Sequence, residues 1–391
     1  MTSDEAMTGL TADLIAQQSA MLDMLEAFVS SESPSDDPTM LAATADLVAE
    51  RGRDLLGAPA QRLGTVECPA LQWELDAVDC DAAPVVLLAH LDTVWPAGTS
   101  DRWPFTVTGN QATGPGAFDM KAGLVQGLFA LAALTRTSLY HPPVTLLVTS
   151  DEEIGSPSGR HLVEASARGA GAVLVLEASA DGALKVARKG VGNYRLRVTG
   201  RAAHAGLEPE KGVNALVAAA HLVLALDEIA DPGVGTTVTP TLATAGSAQN
   251  TVPAIAQVAI DVRCSTVAEQ NRVDRALRHL RAPNDAAIAV EGGVNRPPLE
   301  ERAAEELFHL AQRAARRCGL PPLSSARVGG GSDGNFTAAL GIRTLDGLGA
   351  VGAGAHAEGE YVLITAMPLR AALLAALIVE LGGEDHEDRV G

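Results

Sequence analysis

Between Val85 and Leu176 the chain alternates short, wholly apolar runs with longer helical patterns. Val85–Ala89, Val144–Thr149 and Ala172–Leu176 are continuous apolar stretches of strand length, as strands buried on both faces should be. Met120–Leu134, rich in Ala and Leu, reads as the helix between the first two. Strands alternating with helices predict an α/β domain with a mixed, mainly parallel sheet. The pattern changes near Asp181. From Asn193 to Gly200 apolar Tyr194, Leu196 and Val198 alternate with Arg195, Arg197 and Thr199, the mark of a strand with one wet face. A helix over Val213–Ile229, strands around Thr236–Thr244 and Ile255–Arg263, a helix near Ala268–Leu280 and a strand at Ala286–Val290 complete a β-α-β-β-α-β order. That order predicts a ferredoxin-like α+β domain inserted at 184–296. After Pro297–Pro298 come a helix over Glu300–Cys318, a glycine-rich loop, a strand at Ile342–Leu345 and a helix over Pro368–Leu381. The main domain is therefore expected to be discontinuous, residues 1–183 and 297–391.

Composition changes this picture little. A chain of 391 residues readily makes two domains, and 47% hydrophobic content supplies their cores. With only 3% aromatic residues, those cores must be built from Ala, Val and Leu. The charge balance, 29 − 48 = −19, argues against nucleic acid or an anionic membrane as a general partner. Met1 through Asp13 is polar and acidic, with no secretion signal and no run long enough to span a bilayer, so a cytoplasmic location is expected. Cys68, Cys80, Cys264 and Cys318 form no Cys-x-x-Cys pair, which points to unpaired thiols rather than disulfides or a sulfur-bound metal.

Acids and a histidine stand directly after the buried strands. His90 and Asp92 follow the first, Glu152 and Glu153 the second, and Glu177 the third, while Asp119 lies in a turn before the helix. The carboxyl ends of strands in an open α/β sheet are where ligands bind, so these residues converge on one crevice. Taken singly, each has a plainer role as a cap, a turn residue or a solvated acid. Taken together, imidazole and carboxylate without thiolate suit Zn²⁺, with Co²⁺ or Mn²⁺ as substitutes. A bridging carboxylate can serve two ions, one oxygen each. Asp92, two residues beyond His90 and so on the same side of a strand, is placed to accept the second imidazole N–H and fix the ring.

His90-Leu-Asp92-Thr-Val, Gly114-Pro-Gly-Ala-Phe-Asp119-Met-Lys-Ala-Gly123, Thr149-Ser-Asp-Glu152-Glu153-Ile-Gly155 and Gly200-Arg-Ala-Ala-His204-Ala-Gly206 occur in this order. They resemble the successive motifs of the zinc metallopeptidase family of glutamate carboxypeptidase, acetylornithine deacetylase and aminoacylase, and are most similar to the glutamate carboxypeptidase branch. The resemblance implies a zinc-peptidase-like catalytic domain with an inserted lid and dimerisation domain. It implies two zinc ions per subunit, one on His90 and Glu177 and one on Glu153 and His356, bridged by Asp119. His356 lies in Gly354-Ala-His356-Ala-Glu358-Gly-Glu360, which is similar to the family's last ligand motif. Glu152 takes the place of the general base, and His204 that of an oxyanion donor from the lid of a partner subunit.

The implied reaction is hydrolysis of an amide beside a free α-carboxylate, in peptides or N-acyl amino acids. An N-acyl amino acid deacylase is the close alternative, and a non-catalytic binding protein on the same fold the distant one. Similarity to the carboxypeptidase assigns Arg296 to the substrate carboxylate, with Asn250 contributing from the lid and Gly331 lining the pocket. Arg263 reads as a structural salt-bridge partner, and for Arg327 the choice between a structural and a substrate role stays open. The basic residues Lys185, Arg188, Lys189, Arg195, Arg197 and Arg201 read mostly as the solvated face of the first lid strand. Two further motifs are rejected. Gly347-Leu-Gly349-Ala-Val-Gly352 matches a dinucleotide fingerprint, but no helix follows to receive a pyrophosphate. Gly330-Gly-Ser332-Asp-Gly334 matches a nucleophile elbow, but no buried strand precedes it.

Overall fold

A computed structural model of the chain describes residues 3–137 and 139–387. The described residues fall into two compact units. The first comprises those of Met1–Ala187, Glu301–Arg327 and Ser332–Gly391; the second comprises Arg188–Glu300 with Val328–Gly331. The division falls at 188 and 300 rather than 184 and 296, for a local reason. Leu184 donates its N–H to Ser324 O and Lys185 pairs with Asp346, which ties those residues into the first unit. Conversely, Lys189 N–H donates to Val328 O, and Arg188 NH1 donates to Gly330 O and Gly331 O, which draws 328–331 into the second.

The first unit is built on a six-stranded sheet in the order Gln61–Gly64, Pro69–Leu75, Val144–Thr149, Val85–His90, Ala172–Val175, Thr344–Leu345. Val85–His90 is central and parallel to both neighbours, and Thr344–Leu345 is parallel to Ala172–Val175. The two strands on the other edge run antiparallel. Every residue of Val85–His90 is buried, because helices cover both faces. On one face Val86, Leu88, Leu147 and Val175 pack with Val163 and Phe336 from helices Arg160–Ala167 and Gly334–Ala339. On the other, helix Ala122–Thr137 packs against Ala366–Glu387 and the central strand. Contrary to the sequence expectation, two helical stretches, Ala117–Thr137 and Ala366–Gly383, are long and apolar enough to cross a bilayer. Their apolar windows are 94% and 78% buried within the protein, as core helices are.

The second unit has the predicted β-α-β-β-α-β order: Gly190–Thr199, helix Ala215–Leu226, Thr237–Ala245, Ile255–Cys264, helix Val267–Arg278, Ala287–Arg296. Its antiparallel sheet runs Thr237–Ala245, Ile255–Cys264, Gly190–Thr199, Ala287–Arg296. Tyr194, Leu196 and Val198 face the helices in one apolar cluster, so the alternation seen in the sequence maps onto a dry and a wet face. Arg188 is not on the wet face but buried. Arg263 pairs with Asp261 at 2.9 Å, in the structural role expected of it.

Candidate metal centre

Five segments of the first unit bring the acids and histidines together. His90 is the last residue of its strand, and Leu91 N–H donates to Thr149 O, so the next strand's exit turn lies alongside. That exit is a tight 3₁₀ turn, Glu152–Ile154, closed by Gly155 at φ 92°. Asp119 departs from helical geometry (φ −118°, ψ 97°), and its peptide bond to Met120 is cis. The expected helix therefore begins at Ala122 rather than Met120. His356, at φ 62°, sits in the loop of a hairpin between Gly352–Ala353 and Tyr361–Leu363. Two glycines fix how closely these segments approach. A Cβ on Gly123 would lie 2.0 Å from the carbonyl oxygen of Leu176, and a Cβ on Gly349 2.1 Å from the same atom. The segments carrying Asp119, Glu177 and His356 thus meet at one backbone carbonyl.

The result is two groups able to hold a metal ion, His90–Asp119–Glu177 and Asp119–Glu153–His356, with Asp119 in both. Asp119 Oδ1 lies 3.6 Å from His90 Nε2, which is 3.5 Å from Glu177 Oε1. Asp119 Oδ2 lies 3.4 Å from His356 Nε2, which is 3.1 Å from Glu153 Oε2. One carboxylate oxygen therefore faces each group. His90 Nε2 and Glu153 Oε1 are buried without a hydrogen-bond partner. Buried polar atoms are normally satisfied, and two such atoms on members of these imidazole–carboxylate groups fit a cation.

Electrostatics agree. Burial opposes a charged His90, but Asp119, Asp92 and Glu177 outweigh it and hold the imidazole well above its ordinary value. Burial likewise opposes a charged Asp119, yet His356 and His90 hold it far below the usual carboxylate range. His356 is raised to about 10 by Asp119 first and then Glu153. Glu153 stands above its ordinary value, because burial and the Asp119 charge outweigh the help from His356.

Asp92 has a wider part than the sequence suggests. His90 Nδ1 lies 3.0 Å from the Asp92 main-chain oxygen and 3.3 Å from its Oδ1, so the ring is held by backbone as well as carboxylate. Oδ1 also accepts the Glu152 N–H at 3.2 Å, and Oδ2 accepts the Glu153 N–H at 3.1 Å and the Ser35 hydroxyl at 2.7 Å. Asp92 thereby joins the His90 strand end to the Glu152–Glu153 turn. Glu152 and Glu177 are both buried.

Sequence reasoning overlooked Ser35, Lys121 and Glu360. Lys121 is buried, donates to Phe28 O at 2.9 Å and Ser31 O at 2.8 Å, and is lowered to about 7 by burial. Glu360 is buried and raised to about 8 by burial and then the Asp119 charge. A lysine inside the apolar stretch Ala117–Leu134 was a visible signal. Ser35 left none, since its partner is 57 residues away.

The remaining expected residues, His204, Asn250, Arg296 and Gly331, lie in the second unit. His204 and Asn250 are neighbours there: Ala205 N–H donates to Asn250 O, and His204 bridges Thr251. His204 Nδ1 accepts the N–H groups of Gly206 and Leu207, each at 3.1 Å, which puts the proton of the neutral ring on Nε2. Arg296 ends the strand Ala287–Arg296 and is buried. Gly331 O accepts from Arg188. Of the rejected motifs, Gly347–Gly352 leads into the strand Gly352–Ala353 and not a helix. Its carbonyls at Gly347 and Gly349 are held by buried Arg370. The short strand that precedes Ser332, Ser325–Val328, is not buried, in line with the expectation. The Ser332 hydroxyl is buried and donates to Asp346 at 2.6 Å, a structural contact.

Residues 86–380 match peptidase family M20/M25/M40. The chain is 33% identical over 308 residues to carboxypeptidase G2 of Pseudomonas sp. (strain RS-16), covering 76% of this chain and 74% of that protein. It is 32% identical over 346 residues to succinyl-diaminopimelate desuccinylase of Alkalilimnicola ehrlichii, covering 83% and 89%. Among solved structures, an M20 family metallo-carboxypeptidase from Sulfolobus solfataricus superposes with a TM-score of 0.72 at 19% identity, covering 93% of this chain and 99% of that one. The motif order, the shared fold and these matches together establish that the chain belongs to peptidase family M20/M25/M40.

Proposed function

We propose that this protein is a two-metal amidohydrolase that cleaves an amide beside a free α-carboxylate, releasing a glutamate-like amino acid from a peptide or N-acyl precursor. The observation that carries the reading is Asp119, whose two oxygens face two separate histidine–carboxylate groups. His90 and Glu177 would hold one ion, Glu153 and His356 the other, with Asp119 shared. Zn²⁺ suits this donor set best. Zinc ions bound there would lower the pKa of the attacking water and polarise the scissile carbonyl. Glu152 removes a proton from that water and returns it to the leaving amine. Asp92 holds the His90 ring and both amides of the Glu152–Glu153 turn, which keeps base and ligands in register.

The second unit supplies the substrate-facing residues in this reading. His204, with its proton on Nε2, is a donor suited to the developing oxyanion. Arg296 is the guanidinium for the substrate carboxylate, with Gly331 lining the pocket; Asn250, which neighbours His204 at the other end of the sheet, contributes from the lid. A homodimer through this unit is supported by its surface. Thr237–Ala245 is an edge strand with Leu242 73% exposed, and the helix packed on it exposes Leu224 at 70%. An uncovered edge strand is a template for pairing with a second copy. Leu224→Glu should give a monomer in sedimentation analysis, and an unchanged dimer would contradict this interface. An N-acyl amino acid deacylase would use the same machinery.

Metal content combined with the activity of Glu152→Gln tests the central claim. About two zinc ions per chain are expected, with loss of turnover on the order of a hundredfold or more in the variant. Wild-type turnover by Glu152→Gln would exclude this mechanism.

A further inference from the structure

A groove of about 680 Å³ opens beside the metal centre, entirely within the first unit. Glu153 is among its lining residues, so the groove reaches a proposed ligand. Its walls are Pro34, Val94, Trp95, Pro96 and Ile154. Val94 and Ile154 are 41% and 57% exposed, so large apolar side chains face solvent next to a polar site. The volume falls within the ~300–1,000 Å³ typical of small-molecule sites.

The Trp95 wall is held rigidly. Its ring meets Trp103 edge-on, with centroids 5.1 Å apart and planes at 74°. On one side of it, Thr93 N–H donates to Ser33 O at 2.8 Å and Ser35 N–H donates to Thr93 O. On the other, the Glu32 carboxylate accepts the N–H groups of Gly98 and Ser100, each at 2.8 Å. A wall fixed at both ends loses little freedom when a ligand covers it.

Charge decides which half of the substrate enters. The charged residues lining the groove are Asp36, Asp37 and Glu153, with no cation among them. Asp37 caps helix Pro38–Leu56 by accepting from Thr39 and Met40, and Glu153 would face a metal, so a substrate carboxylate here would meet the exposed Asp36 with no cation to offset it. We infer that this groove is the acyl-side pocket: it receives an aromatic or large apolar group R of R–CO–NH–CH(R′)–COO⁻ and disfavours an R that bears its own carboxylate. The inference rests on the amide-hydrolase reading above and adds the chemical class of R. Trp95 is the specificity-determining residue.

The test compares N-benzoyl-, N-acetyl- and N-succinyl-glutamate. Covering a phenyl ring with these walls predicts kcat/KM about 30-fold or more higher for benzoyl than for acetyl. Succinyl should be the poorest of the three. Trp95→Ala should lower kcat/KM for the benzoyl substrate at least tenfold more than for acetyl, through KM rather than kcat, and Trp95→Phe should restore most of the preference. Asp36→Asn should raise succinyl turnover relative to acetyl. Binding gives a readout that does not depend on turnover: metal-loaded Glu152→Gln is titrated calorimetrically with the benzoyl and acetyl compounds, with and without Trp95→Ala. Tighter binding of benzoyl that disappears with Trp95→Ala supports the pocket. Equal binding, a preference for succinyl, or an equal loss on all three substrates overturns it. If wild-type protein hydrolyses none of them, the reaction assignment falls, and the binding comparison alone then decides the groove. Hydrolysis with no acyl preference overturns the pocket and leaves the reaction standing.

Discussion

Asp92→Asn is a sensitive probe of how the centre is assembled, because it keeps the shape of a buried side chain and changes only its hydrogen-bonding capacity. In the wild type, Oδ2 accepts from Ser35 Oγ at 2.7 Å and Glu153 N–H at 3.1 Å, while Oδ1 accepts from Glu152 N–H at 3.2 Å. An asparagine can keep its oxygen at the Oδ1 position, facing Glu152 N–H and the His90 ring. Its NH₂ then takes the Oδ2 position. The Ser35 hydroxyl can rotate to accept from it, but the Glu153 amide can only donate and loses its partner. A hydrogen bond to a charged group is worth ~1.5–3 kcal/mol and a neutral one ~0.5–1.5. Losing one and weakening the others, partly offset by relief of a buried charge, should cost about 2–3 kcal/mol. The displaced amide belongs to a proposed ligand, so metal affinity should also fall about 10–100-fold. Urea unfolding of the chelated proteins measures the first effect, and metal retained after dialysis against graded chelator measures the second. Ser35→Ala, which removes one donor only, should cost about 1 kcal/mol and spare the metal. Asp92→Asn with wild-type midpoint and wild-type metal retention would refute the reasoning.

The protons that Asp119 and Glu153 hold on His356 predict a pH effect in chelated protein. The folded value, about 10, lies above the ordinary 6.5, so the stabilisation is complete below about pH 6.5 and is lost as pH rises through about 10. Thermal melts of chelated protein from pH 6 to 10 should fall accordingly, and metal uptake should release protons; a flat profile with no proton release would contradict the assignment. Gly123→Ala places a Cβ 2.0 Å from Leu176 O, a backbone atom that no side-chain rotation can move aside. It should cost about 2–3 kcal/mol or more and reduce metal content, whereas Gly9→Ala, in open space inside helix Ser3–Ala16, should stabilise by up to about 1 kcal/mol in the same denaturation assay. The two ion sites should also empty in sequence. The His90 side chain is 2% exposed and the His356 side chain 53%, so metal on the His356 side should be lost first under limiting chelator, seen as two phases in metal release.

Most of the residues proposed as ligands could be singled out because they belong to segments with a strong local pattern. Val85–His90 and Ala172–Val175 could hardly be anything but buried strands, and an acid or histidine at such a strand end is out of place unless it serves a site. His356 is different. Nothing in the local pattern of Gly352–Glu360 marks it, and only the similarity of its motif did so. The lid boundaries were missed by a few residues because hydrogen bonds to Ser324 and Val328, far along the chain, decide them. The Trp95 groove was equally invisible, since Pro34 and Trp95 are joined through the Pro34–Thr93 bridge.

What holds the ligands in place is main chain, and main chain has no sequence signature. The carbonyl of Leu176 is approached by Gly123 and Gly349, while Asp92 holds the amides of Glu152 and Glu153. Arg370 grips the carbonyls of Gly347 and Gly349 from the closing helix. Each contact joins segments far apart in sequence, and the partner atom is common to every amino acid. Composition and periodicity can therefore single out most of the proposed donors of this centre but cannot predict their separations. Those separations are set by backbone approach at glycines, which is why a single methyl group at Gly123 is expected to disturb the centre as seriously as the loss of a buried hydrogen bond at Asp92.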